Sequence, residues 1–182
     1  MQTFCLPFES EVSALRFTVL TYKLLFSIVG PQKAMIRIRF TGAGGKSSSH
    51  IGTSKRKVRR GPTMRLGIGP KSKARDIRRA TLHEFGHALG LVHEHQHPDN
   101  HIKWNKQVVY RDLFPWSKKE VRRQVFDQYK PSEVQTSAFD PDSIMIYRIP
   151  PEWTYGTFST RWNTRLSRSD KSFIREMYPE EK

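Results

Sequence analysis

His83-Glu84-Phe85-Gly86-His87-Ala88-Leu89-Gly90-Leu91-Val92-His93-Glu94-His95-Gln96-His97 carries the pattern H-E-x-x-H-x-x-G-x-x-H on His83, Glu84, His87, Gly90 and His93. On a helix, His83 and His87 lie about 40° apart around the axis and one turn apart along it, so both imidazoles reach one ion. His93 cannot join them on the same straight helix. Six residues at ~1.5 Å rise carry it roughly 9 Å further along, whereas a Zn–N bond is about 2.0–2.1 Å. The chain must therefore bend after His87, and Gly90 is the residue that accepts a left-handed helix end at low cost. The alternative is a helix whose His and Glu merely face solvent. The full pattern is expected by chance at only on the order of 10⁻⁵ in a chain of this size, which favours the metal-binding reading.

A second segment, Asp140-Pro141-Asp142-Ser143-Ile144-Met145-Ile146-Tyr147, follows downstream. With it the chain resembles the metzincin metalloproteases, and among them the astacin-like group, which pairs the long His motif with a Met-turn. Here Ser143, Met145 and Tyr147 match that turn, and Ile146 stands where the family usually has His. The run from His93 to Asn105 and the ending Leu166-Ser167-Arg168-Ser169-Asp170-Lys171 to Tyr178-Pro179 are similar to compact members of fungal and bacterial type. The resemblance implies that His83, His87 and His93 hold Zn²⁺ and that Met145 forms a hydrophobic floor beneath it. It also implies that Tyr147 acts on the transition state, and that Glu94 joins a buried polar network without being a ligand. It covers roughly residues 35 to 179, and residues 1–34 match poorly.

Composition fits one domain. A chain of 182 residues, 36% hydrophobic and 12% aromatic, buries one sizeable core. Cys5 is the single cysteine, which excludes an internal disulfide. No stretch approaches the length of a transmembrane helix. Glu9 and Glu11 sit where a signal peptide wants positive charge, and Lys23 interrupts the apolar run before Leu24. The resemblance implies an extracellular protein, without a convincing signal peptide in this chain to support it. A monomer is expected.

The net charge of +15 gathers in Lys55 to Arg60 and in Lys71, Lys73, Arg75, Arg78 and Arg79. Such runs attract polyanions. No aromatic residue is interleaved and no nucleic-acid motif accompanies them, so they read as a solvated loop and helix face, with no specific nucleic acid as partner.

Ile36, Ile38 and Phe40 alternate with Arg37 and Arg39 as a strand with one buried face. Residues 41 to 49 read as a Gly/Ser loop and Thr63 to Ile68 as a short edge strand. The active-site helix spans roughly Arg75 to Leu89, with Gly86 inside it costing about 1 kcal/mol against Ala. Trp104 to Phe114 is expected to be helical. Ser117 with Glu120 forms a capping box before the stripe Val121, Val125, Phe126 and Tyr129. Ser167 with Asp170 caps a last helix that packs Phe173, Ile174 and Met177. His95 and His97 read as wall residues, because three ligands plus water already complete a catalytic zinc.

These readings converge on an α+β, zincin-like domain: a small mixed sheet with an active-site helix and a loop-rich lower half. Residues 35–90 form the upper half, and 91–182 the lower half with the Met-turn and C-terminal helix. The expected function is a zinc metalloendopeptidase acting on a protein or peptide substrate. Glu84 sits beside a ligand but points elsewhere, so it is the general base, and Tyr147 donates to the developing oxyanion. The alternative is a weak or inactive zinc-binding domain that works as a basic binding module.

Overall fold

The computed structural model describes residues 2–5, 26–28, 33–58 and 60–179. Most of residues 1–34, the segment that matches the resemblance poorly, lies outside them. Among the described residues a five-stranded sheet is ordered β2-β1-β3-β5-β4. Its strands are β1 Gln2–Cys5, β2 Phe26–Ile28, β3 Ile36–Phe40, β4 Ser48–Ser49 and β5 Met64–Leu66. All pairings are parallel except β4 with β5.

Alternation sets the face of β3: Ile36 and Ile38 are buried, whereas the terminal Phe40 is 44% exposed and leaves the apolar row. Arg37, on the opposite face, donates to the carbonyls of Ala34, Val58 and Gly61 and so ties the following loop to the strand. The expected edge strand is interior. β5 pairs with β3 on one side and β4 on the other, and the edge position belongs to Ser48–Ser49. The Gly/Ser segment folds back because its backbone makes the bonds: Ser48 and Ser49 register with Arg65 and Met64, and His50 N donates to Thr63 O at 3.0 Å.

Helix α1, Ala74–Leu89, lies under the sheet. Ile36, Ile38, Met64, Leu66 and Ile68 from the sheet side pack with Ala80, Phe85 and Ala88 of the helix in one buried cluster. Each large aliphatic side chain buried there contributes about 1.5–3 kcal/mol. The helix stops as its sequence demands: Gly90 takes φ 107°, its N–H bonds His87 O, and Leu91 N bonds Gly86 O at 2.9 Å. Lys71, Lys73, Arg75 and Arg78 are exposed, as a solvated face requires. Arg79 departs from that face and stacks on Trp162, 4.1 Å from the ring centroid.

The lower half has less regular structure. Helix α2 is Lys106–Asp112, shorter than expected because Trp104 is drawn into a bridge with Thr154. Helix α3, Lys118–Val121, opens with the Ser117–Glu120 capping box and runs into one π-helical turn, Arg122–Phe126. Val121 and Val125 form a second core with Val109, Trp104 and Tyr110. Tyr129 lies beyond the helix end, its N–H bonded to Gln96 O. Helix α4, Arg168–Met177, has the Ser167–Asp170 capping box; Ile174 is buried and Met177 is 42% exposed. No helix among the described residues is long and apolar enough to cross a membrane.

Candidate metal centre and active site

Helix period and the Gly90 turn bring the three histidines together. One ligand-capable nitrogen from each of His83, His87 and His93 lies within 4.8 Å of the others. The Nε2 atoms of His87 and His93 are 3.1 Å apart, close to the separation of two ligands on a tetrahedral zinc, while the set as a whole is looser than the ~3–4 Å such geometry demands.

The other ring nitrogens explain why these point inward. His83 Nδ1 meets Ile144 O at 2.8 Å and His87 Nδ1 meets Leu91 O at 2.9 Å. A carbonyl only accepts, so each Nδ1 carries the proton and each Nε2 keeps its lone pair for a metal. Gln96 bonds the His93 side chain. Burial drives all three imidazoles towards the neutral form that ligates: His83 is pushed down to about 4 by burial, with His87 adding like-charge repulsion. His87 and His93 are lowered for the same first reason. The donor set thus fits a zinc ion in count, residue type and protonation.

Glu84 faces the same cleft from α1, one residue from a ligand. It is 4% exposed, and its Oε2 has no hydrogen-bond partner among the described residues. Burial pushes its carboxyl up to about 8, with the Arg79 guanidinium pulling it partly back. Tyr147 enters from the Met-turn, its ring 4.3 Å from that of His93 and 5.9 Å from that of His83. Burial, and then the Glu84 charge, raise its phenol to about 12.

Beneath them Met145 is 2% exposed, and a Cβ built on Gly86 would overlap its sulfur. An isolated Gly within a helical pattern is the sequence signal for such close packing. In the sequence Asp170 is legible only as a helix cap. In the structure its Oδ1 accepts from Ser143 Oγ at 2.7 Å, and its Oδ2 accepts from Ile144 N at 2.8 Å and from Ser167 N at 2.9 Å. The carboxylate that caps α4 therefore also holds the turn whose carbonyl orients His83. Glu94 joins a polar network through Oε1, which accepts from Asp140 N at 2.8 Å, and burial raises its carboxyl. His95 and His97 each place Nε2 on a carbonyl, of Gln124 and Ser137 respectively.

The cleft of about 960 Å³ runs between the Ala43–Ser49 segment with α1 on one side and His93, Gln124, Tyr147 and Trp162 on the other. The family model for the astacin peptidases matches residues 26–178.

The chain belongs to the astacin family.

Its family match begins several residues before the sequence resemblance does. Myroilysin is similar over most of the chain, at 37% identity and a TM-score of 0.79, covering 86% of this chain and 79% of myroilysin. A second myroilysin structure superposes at 37% identity with a TM-score of 0.60, covering 85% and 70%. High choriolytic enzyme 1, a hatching enzyme zinc-protease from the medaka fish Oryzias latipes, shares the fold at 20% identity and a TM-score of 0.53, covering 84% and 74%. Astacin-like metalloprotease toxin 2 of Loxosceles intermedia is 39% identical over 87 residues, which is 46% of this chain and 29% of the toxin. The chain thus spans less than a third of that curated relative. This astacin-family domain has an α+β fold, with three histidines positioned to hold a metal ion.

Proposed function

We propose that this domain is a zinc-dependent endopeptidase in which His83, His87 and His93 hold the metal, Glu84 is the general base and Tyr147 stabilises the oxyanion. The observation that carries the reading is Glu84: a carboxyl oxygen with no hydrogen-bond partner among the described residues, buried in the cleft beside the convergent nitrogens of His83, His87 and His93. A buried carboxyl that lines the cleft and is not tied into a hydrogen-bond network is placed for proton transfer.

Zinc supplies Lewis acidity, acidifying water and polarising a carbonyl. Glu84 takes a proton from the water that attacks the scissile carbonyl carbon, and returns it to the nitrogen as the C–N bond breaks. Tyr147, held protonated, donates to the oxygen on which negative charge develops. The residues between 35 and 90 form the upper wall of the cleft and those after 91 the lower wall. The edge position of β4 leaves one side of Ser48–Ser49 free of a strand partner among the described residues, a surface on which extended peptide can pair.

The test is hydrolysis of casein by the purified protein with and without a zinc chelator, beside Glu84→Gln. Chelator-sensitive cleavage that the substitution abolishes supports the reading. Folded, zinc-loaded protein that cleaves no unfolded substrate overturns it in favour of a basic zinc-bearing binding module.

A further inference from the structure

We propose that His95 is a positioning residue for Tyr147, a rigid face that sets where the phenol ring stands over the metal centre; this rests on the oxyanion role given to Tyr147 above. His95 is 1% exposed and lies two residues past the third ligand. Its ring stacks on that of Tyr147 with centroids 4.7 Å apart and 25° between planes. The Tyr147 main chain is pinned from the other side, its carbonyl accepting from Thr160 Oγ1 at 2.6 Å. With the backbone held, the freedom left to Tyr147 is rotation of its side chain, and His95 is the wall that limits it.

The imidazole is itself anchored by an unusual feature. The π-helical turn Arg122–Phe126 closes with Asp127 N on Arg122 O at 2.8 Å, after which the chain leaves in an extended conformation. The chain turns away too soon for the next helical N–H to reach the carbonyls of Arg123 and Gln124. Gln96 Nε2 donates to Arg123 O and Asp127 O, and His95 Nε2 meets Gln124 O at 2.8 Å. Single π-turns of this kind concentrate at functional sites. The bond to Gln124 fixes the tautomer, leaving Nδ1 as a bare acceptor that has no partner among the described residues. A buried acceptor without a donor is unfavourable, and a phenylalanine would fill the space without that cost. What histidine provides is a flat ring and a directional anchor together: one edge bonded to the π-turn, one face against Tyr147. A further ring contact, to Trp104 at 6.4 Å, closes the far side.

The experiment is a double-mutant cycle on the zinc-loaded enzyme, with kcat, KM, zinc content and Tm measured for each protein. His95→Phe keeps the stack and removes the anchor. His95→Gln keeps an amide donor for Gln124 O and removes the stack, and serves as the second variant where phenylalanine is too large to fold. Each is expected to lower kcat about tenfold, the scale of a sub-ångström misplacement, with KM and zinc content unchanged. Combined with Tyr147→Phe, neither should lower kcat more than about twofold further, since the group being positioned has lost its hydroxyl. Losses that multiply in the double variants, or that track lost zinc or lost fold in both single variants, overturn the proposal. Wild-type kcat in Tyr147→Phe would instead refute the role given to Tyr147 itself.

Discussion

The Met145 sulfur lies against the Cα of Gly86, in space that any β-carbon at that position would occupy. The only glycine inside helix α1 is thus the point at which the Met145 turn approaches the helix between His83 and His87. Gly86→Ala gains about 1 kcal/mol of helix propensity and meets an overpacking cost of about 1–3 kcal/mol. The net expectation is a lower Tm together with weaker zinc binding, read by thermal denaturation and by chelator competition. A variant more stable than the parent with unchanged zinc affinity would show that the contact does not constrain the site.

Asp170 joins helix α4 to the turn that orients His83. Asp170→Ala leaves three groups without their acceptor, Ser143 Oγ, Ile144 N and Ser167 N, two of them buried in the Met-turn. At about 1–3 kcal/mol for each buried group, the loss should reach roughly 3 kcal/mol or more. Chemical denaturation measures it, and a loss below about 1 kcal/mol would assign Asp170 to helix capping alone.

Glu84 and His87 should separate in their effects. Glu84→Ala is expected to lower the rate of peptide hydrolysis by about 10²-fold or more while retaining about one zinc per chain. His87→Ala should lose metal and activity together. Metal analysis beside the rate assay decides the matter, and a zinc-free Glu84→Ala protein would refute the division of roles.

Stripped of metal, the domain should be most stable near pH 6.5. His83 and His95 each titrate at about 4 when folded, below their ordinary value, so the unfolded chain binds more protons and stability falls as pH drops from about 6.5 towards 4. Glu84 works in the opposite sense. Its folded value of about 8 lies above the ordinary carboxyl range, so stability falls as pH rises from about 4.5 through 8. The histidines outweigh it on the acid side, where each fully shifted group contributes about 1.4 kcal/mol per pH unit. Above pH 6.5 the Glu84 limb remains, and Glu84→Gln should flatten it. Urea titrations across the range test both limbs, and an acid limb absent from the metal-free protein would contradict neutral burial of these rings.

Gly90 at φ 107° is the turn that brings His93 back towards His83 and His87. Gly90→Ala should cost about 1–2 kcal/mol from left-handed backbone strain and lower zinc affinity more than Tm alone explains. Unchanged affinity by chelator competition would separate the turn from the centre.

What the chain declares by itself is whatever depends on residues a few positions apart. The convergence of His83 with His87 follows from the helical period, the return of His93 from Gly90, and the starts of α3 and α4 from the Ser117–Glu120 and Ser167–Asp170 boxes. Each is a local relation in which both partners have distinctive side chains. The tertiary structure decided the rest. His83 takes its orientation from a carbonyl 61 residues away at Ile144, and His95 takes its anchor from one 29 residues away at Gln124. Every residue has a carbonyl, so nothing in the identity of Ile144 or Gln124 marks it as the acceptor. Likewise the exchange of edge position between β5 and Ser48–Ser49 rests on backbone pairing, and the departure of Arg79 from its solvated run rests on where Trp162 falls. Spacing along the chain specifies which side chains can ligate; the fold specifies which backbone groups hold them in place, because those groups are chemically the same at every position until packing selects among them.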